Sequence, residues 1–150
     1  MRFMIIRKAD AETEAGVMPG EQLLADMTAY NAELVKAGVL VAGEGLHPTS
    51  RGARVKFSGG KPTVIAGPFP EASALIAGFT MIDVGSLEEA LEWARRWPAS
   101  DGNGAAELEI RRVFEADDFG EAFTPELRAE EERQRRAAGK AGKAGKSAND

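Results

Sequence analysis

Hydrophobic residues near the N-terminus follow first a strand pattern and then a helix pattern. The four consecutive apolar residues of 3–6 are typical of a strand that is buried on both faces. The next large side chains are separated by four, three and four positions and form one stripe: Leu23, Met27, Tyr30 and Leu34. This spacing predicts an amphipathic helix over residues 21–37, and Gly38 suits its C-terminal end.

The middle of the chain combines a hairpin pattern with a second strand and a second helix. Residues 53–57 and 62–65 are β-prone and flank a Ser-Gly-Gly-Lys turn, which predicts a β-hairpin. Apolar residues over 78–84 predict a second central strand. Ser86 and Glu89 have the spacing of a capping box, in which Ser86 bonds the Glu89 amide and Glu89 bonds the Ser86 amide. A helix is therefore expected from this point to the next proline.

The order of these elements predicts a ferredoxin-like α+β fold. A last strand over residues 107–114 completes the series strand, helix, hairpin strands, strand, helix, strand, which is a split βαβ arrangement with both helices on one face of the sheet. Such a sheet has an uncovered face, which a second copy of the chain would cover most simply. Glu109 and Arg111 share one side of the last strand, so we expect them to line the space between two subunits.

The residue inventory limits the chemistry that this chain can perform. Its 150 residues (16.0 kDa) are enough for one domain with a sizeable core. The absence of cysteine excludes thiol nucleophiles and cysteine-containing metal sites, and the single histidine excludes paired imidazole ligands. Carboxylates, hydroxyls, backbone groups and His47 remain, and His47 stands in a glycine-rich loop before Pro48.

The charge balance disfavours several classes of partner. The 19 basic and 24 acidic residues leave a net charge of −5, so nucleic acid and anionic membranes are not expected to bind. No apolar stretch has transmembrane length and no signal peptide is recognisable, so we expect a cytoplasmic protein that does not contact membranes. No spacing typical of metal ligands occurs, and neither a metal nor a cofactor is expected.

The composition changes in the last quarter of the chain. Residues 116–138 are rich in charge, and Thr124-Pro125 forms an N-cap and first-turn pattern that predicts a charged helix in this C-terminal extension. Residues 139–150 repeat Gly, Lys and Ala and are expected to be disordered, because they have no apolar surface to bury.

Several short motifs together resemble a known family. They are Gly45-Leu46-His47-Pro48, Ala66-Gly67-Pro68-Phe69 followed by Glu71, Gly78-Phe79, Ser86-Leu87-Glu88-Glu89-Ala90 with Glu92-Trp93-Ala94, and Glu109-Ile110-Arg111. This pattern resembles the YCII-related family of small bacterial proteins, in the branch named for an Asp-Gly-Pro-Phe motif. The resemblance implies a ferredoxin-like domain over residues 1–115 that pairs into a dimeric α/β barrel, with a small-molecule pocket in each subunit.

The resemblance also implies where the pocket lies. His47 is the candidate catalytic residue, and the candidate ligand-binding residues are Gly67, Pro68, Phe69, Glu71, Glu109 and Arg111. In the family pattern an aspartate accompanies the histidine, but this chain has Ala66 in its place. Glu44 and Glu71 are the nearest carboxylates in sequence that could substitute for it. For Glu109 and Arg111, a salt bridge that fixes the subunit interface is the competing interpretation.

Two functions remain open from the sequence. The first is an acid–base enzyme, similar to a lyase or an isomerase, in which His47 transfers a proton on a small organic substrate. The second is a non-catalytic ligand-binding or regulatory module with a protein partner, because relatives of this domain are associated with sigma factors of transcription. The replacement at Ala66 favours the second function more than in a typical relative.

Overall fold

The computed structural model describes the backbone of residues 1–147 and the side chains of residues 1–139. It divides into two units, residues 1–113 and residues 114 onward. The strands of the first unit are β1 (Arg2–Lys8), β2 (Leu40–Gly45), β3 (Ala53–Ser58), β4 (Lys61–Ala66), β5 (Ile76–Asp83) and β6 (Leu108–Arg112). Its helices are α1 (Ala11–Glu14), α2 (Glu21–Lys36) and α3 (Leu87–Arg95), and the second unit contains α4 (Pro125–Ser147).

The main sheet has the ferredoxin-like strand order. Its four strands are arranged β2-β5-β1-β6, and each neighbouring pair is antiparallel. The predicted hairpin, β3 with β4, forms a separate two-stranded sheet inserted between β2 and β5. The mixed α+β fold with antiparallel sheets that the element order predicts is therefore confirmed.

Both long helices of the first unit contribute to a core on one face of this sheet. Phe3 and Ile5 of β1 and Ile82 of β5 are buried, and they pack in one cluster with residues of α2 and α3: Tyr30, Leu34, Ala90 and Ala94. The prediction that β1 is buried on both faces is wrong, because its residues alternate between buried and half-buried. The apolar ones among the half-buried residues, Met4 and Ile6, lie on the face without helices.

The open face of the sheet is apolar at its centre. Met4 pairs with Met81, and Ile6 pairs with Phe79 across the β1–β5 ladder. All four side chains are half-buried within the chain. We call these four residues the open sheet face.

Local signals predict the start of α3 correctly, but they do not predict every hydrogen bond of its N-cap. The Ser86 hydroxyl accepts a hydrogen bond from the Glu89 amide at 3.1 Å, as the capping box predicts. The Glu89 carboxylate, however, accepts from the Gly85 amide at 2.8 Å. The reciprocal bond therefore satisfies the amide one position before the one that was predicted.

The charged C-terminal helix is longer than predicted. The helical backbone of α4 continues past residue 138 to Ser147, so the predicted end of the helix is wrong. Alanine and lysine have high helix propensity, and that preference can extend a helix that buries little. Residues 148–150 of the predicted disordered segment lie outside the described residues. Where the structure is described, no helix is both long enough and apolar enough to cross a membrane.

Candidate functional site

A cavity of about 880 Å³ opens beside the N-terminal ends of α1 and α2. The loop after β2 supplies His47 and Pro48 to its wall, and the turn that follows supplies Arg51. Apolar side chains such as Met18 and Leu23 line another part of it. Its size and mixed lining are those of a small-molecule site.

His47 has an arginine as its nearest polar partner. Nη1 of Arg51 lies 3.3 Å from Nδ1 and 3.5 Å from Nε2 of the imidazole. A guanidinium carries donors and no acceptor, so the ring nitrogen in this contact acts as the acceptor. A neutral imidazole has one acceptor nitrogen, so this contact occupies it, and it becomes available to another proton only when Arg51 moves away.

Neither carboxylate suggested by the sequence replaces the one missing at Ala66. Among the described residues, no carboxylate forms a hydrogen bond or an ion pair with His47. Glu44 lies on β2 opposite Phe79, and Glu71 occupies a left-handed turn with φ 66°. Glu12, which the sequence reasoning did not consider, also lines the cavity. Among the described residues it forms no ion pair, whereas Asp10 and Asp101 are bonded to Arg7.

A buried ion pair forms the floor of the cavity. Arg7 is 7% exposed, and its Nε and Nη2 lie 2.9 and 2.8 Å from the two carboxylate oxygens of Asp101. Nη2 also donates to Asp10 at 2.9 Å, and the indole of Trp97 donates to Asp101 at 2.8 Å. This bidentate geometry holds the loop after α3 against β1.

The charges of this cluster are stabilised by their mutual contacts. The hydrogen bond with Asp101 raises the pKa of the Arg7 guanidinium further above its ordinary value. Burial alone would raise the pKa of Asp101, but the hydrogen bonds from Arg7 and Trp97 outweigh it and lower this pKa. The backbone amide of Thr13, with Arg7, lowers the pKa of Asp10.

A signal for this cluster was present in the sequence but incomplete. Arg7 is in phase with Phe3 and Ile5, which places a charge on the buried face of β1. Such a charge requires a partner, yet nothing local identifies Asp101, which is far away in sequence.

The segment of Gly67, Pro68 and Phe69 packs against the His47 loop. The amide of Phe69 donates to the hydroxyl of Thr49 at 3.0 Å, and this hydroxyl donates to Glu14 at 2.6 Å. Gly67 approaches so closely that a Cβ there would lie 1.7 Å from the backbone oxygen of Thr49. Thr49, which the sequence reasoning missed, therefore joins α1, the His47 loop and this segment.

A smaller cavity of about 320 Å³ lies next to the first and shares four lining residues with it, Leu46, His47, Pro48 and Arg51. His47 and Arg51 line both cavities, while Arg54 and Phe69 line the smaller one. The Arg54 guanidinium lies over the Phe69 ring at 3.9 Å from its centroid. The structure thus brings Phe69 and His47 to one cavity, whereas Glu71 lines neither.

Glu109 and Arg111 lie away from both cavities. They sit on the edge strand β6, opposite Ile6 and Met4, and form an ion pair at 3.5 Å between exposed side chains. This position is beside the open sheet face. Among the described residues no group of histidine and acidic side chains could hold a metal ion.

Comparison with known proteins identifies the family. The model of the YCII-related domain matches residues 1–116, so the chain belongs to this family, and the resemblance read from the sequence motifs is confirmed. An uncharacterised protein of Rhizobium meliloti (strain 1021) is 39% identical over 75 residues, which are 50% of this chain. The matched segment spans 60% of that relative's length.

A comparison with solved structures finds a weak similarity. The matched structure is 5-chloro-2-hydroxyhydroquinone dehydrochlorinase from Burkholderia phenoliruptrix AC1100, in complex with 2,5-dihydroxybenzoquinone. The similarity has a TM-score of 0.42 at 15% identity and covers 76% of this chain and 94% of that chain. At this level of similarity, nothing about that enzyme's activity transfers to this chain.

Proposed function

We propose that this chain binds a small organic molecule in the 880 Å³ cavity and that His47 transfers a proton on it. The observation that carries the proposal is the contact between His47 and Arg51 at the wall of a cavity with apolar sides. An imidazole that accepts from a guanidinium keeps a lone pair available for a substrate proton when the ligand displaces Arg51.

The two side chains have complementary roles in such a reaction. His47 acts as the general base and removes a proton from the substrate, and the cationic Arg51 stabilises the negative charge that then develops on a substrate oxygen. Return of the proton to another atom gives an isomerisation, whereas loss of a leaving group gives an elimination. The proposed activity is therefore similar to that of an isomerase or a lyase.

A non-catalytic module is the second candidate, and a specific observation favours it. His47 has no carboxylate partner among the described residues, and Ala66 replaces the aspartate of the family motif. Without that partner the imidazolium formed during proton transfer is less stable. In this alternative, the cavity binds a ligand that controls association with a regulatory protein partner.

The single histidine allows a direct test. Proton NMR of the imidazole reports binding at His47 without interference, because the chain has no other histidine. We expect a ligand from a small-metabolite panel to shift this signal and to be converted, and we expect His47→Ala to abolish conversion. Conversion that survives His47→Ala would contradict the catalytic role, and binding without conversion would support the module.

We further propose that the protein acts as a cytoplasmic homodimer. The half-buried apolar residues of the open sheet face support this assembly, since a partly exposed apolar patch is typical of a subunit interface. In a dimeric α/β barrel, Glu109 and Arg111 of β6 would lie at the edge of this interface.

A further inference from the structure

The smaller cavity combines positive charge with the absence of acidic residues. Two arginines, Arg51 and Arg54, line its 320 Å³, and none of its other described lining residues is acidic. The chain as a whole has a net charge of −5, so its overall composition does not account for this local excess of positive charge. The larger cavity differs, because acidic residues such as Glu12 and Asp101 line it.

The charges of the two arginines are not neutralised by carboxylates. Within the described residues, Arg51 contacts the His47 ring and Arg54 lies over the Phe69 ring, and neither forms an ion pair. Glu14 comes close to this region, but its two carboxylate oxygens accept from the amide and the hydroxyl of Thr49 at 3.2 and 2.6 Å. Its hydrogen-bonding capacity is therefore directed to Thr49.

Arg54 is held in an orientation that suits a ligand. Its Cζ lies 3.9 Å from the centroid of the Phe69 ring, and the Phe69 amide is in turn bonded to Thr49 at 3.0 Å. Cation–π packing restricts the guanidinium while its N–H donors remain at the edge of the group. A guanidinium presented in this way can bind a planar carboxylate through two parallel hydrogen bonds.

We propose that the smaller cavity binds the carboxylate of a small organic acid, whose apolar body lies against Leu46, Leu75 and Ile76. The inference rests on the proposed function, because the ligand whose carboxylate lies in the smaller cavity reaches His47 and Arg51, which line both cavities. A volume of 320 Å³ lies at the lower end of small-molecule sites, so the acid is compact.

Calorimetric titration with benzoate and with benzamide tests the charge of the ligand. The two probes have similar shape but differ in charge, so we expect benzoate to bind about tenfold more tightly and to lose affinity as salt is raised. Equal binding of the two probes, or no binding of benzoate, would overturn the inference. If phenyl phosphate binds about tenfold more tightly than benzoate, the cavity prefers a phosphate to a carboxylate, and this result would also overturn the inference.

Variants of the basic residues test the location. We expect Arg54→Gln and Arg51→Gln each to weaken benzoate binding about tenfold and to leave benzamide unaffected. Lys56→Gln is the matched control, because it removes one positive charge from the same hairpin at a residue outside the cavity. Equal loss of affinity in the Lys56 variant would show a general field effect and contradict the site.

These outcomes separate this inference from the proposed function. If benzoate and benzamide bind equally while a ligand shifts the His47 signal, the carboxylate site is rejected. The proposed binding of a small molecule beside His47 then still stands. If no compound of the metabolite panel shifts the His47 signal while benzoate binding depends on Arg54, the anion site stands and the proposed role of His47 fails.

Discussion

Position 67 requires glycine because the backbone of Thr49, which is distant in sequence, packs directly against it. A side chain there would collide with the backbone oxygen of Thr49 at 1.7 Å, and backbone cannot move aside as a flexible side chain can. The Thr49 hydroxyl also connects Glu14 with Phe69. The wall of the site therefore depends on the absence of a Cβ at position 67.

We expect Gly67→Ala to lower the free energy of unfolding by about 1–3 kcal/mol, which is typical of overpacking. Gly45→Ala is the matched control, because a Cβ at Gly45 meets no atom within 4 Å. Thermal unfolding of both variants measures the difference. Equal melting temperatures would contradict the close approach of Gly67 to Thr49.

The Arg7 cluster makes stability depend on pH in the acid range. The pKa values of Asp101 and Asp10 are lowered in the folded state, so their contribution is fully present above the unfolded value of about 3.9. This stability is lost as the pH falls through the folded pKa values, because the native carboxylates then take up protons. We expect the free energy of unfolding to decrease below about pH 4.

Asp101→Asn tests the source of this dependence. We expect the variant to be about 3 kcal/mol less stable at pH 7, since Arg7 loses a buried charge partner, and to show a shallower decrease below pH 4. Denaturant titrations between pH 7 and pH 3 provide the measurement. Asp117→Asn is the control, because that carboxylate is 95% exposed, and an identical slope in both variants would refute the assignment.

The helices and strands follow from local patterns where one face is buried. The stripe from Leu23 to Leu34 predicts α2 to within one residue at its end, because its period matches the helix. The residues of β3 and β4 are also placed correctly, since two glycines with positive φ, Gly59 and Gly60, form their turn. The end of α4 was missed, because an exposed helix carries no burial pattern that marks its end.

We expect Ser86→Ala to destabilise the first unit by about 1 kcal/mol, the typical effect of losing an N-cap hydrogen bond. Thr28→Ala is a matched control, because its hydroxyl bonds a backbone oxygen within α2 and caps no helix terminus. Urea titration measures both variants. A Ser86 variant as stable as the wild type would show that the Glu89 bond to Gly85 holds the helix start alone.

At the level of the assembled protein, the open sheet face predicts self-association. Light scattering is expected to give about twice the 16.0 kDa of the chain at micromolar concentration. Met81→Lys places a charge on this face and is expected to yield monomers, whereas Leu24→Lys places the same charge on an exposed position of α2 and leaves the mass unchanged. A monomeric wild type would refute the dimer.

The candidate site was foreseen only in part. Of the residues that the family motifs suggest, His47 and Phe69 line the smaller cavity, whereas Gly67 and Pro68 line neither cavity. Arg51 and Arg54 were missed, since arginines in an exposed turn and hairpin look like ordinary surface charge. Their significance comes from the cavity that they share with His47, which is a property of the folded chain.

The sequence by itself determined the order of the elements, the family and the fact that any imidazole chemistry must come from His47. These depend on local periodicity, on turn residues and on the presence or absence of a residue type. Only the tertiary structure decided which groups meet: Arg7 with Asp101, Thr49 with Phe69, and His47 with Arg51 and not with a carboxylate. The first two contacts join residues far apart in the chain, and the third depends on the turn after the His47 loop, so spacing along the sequence does not specify them.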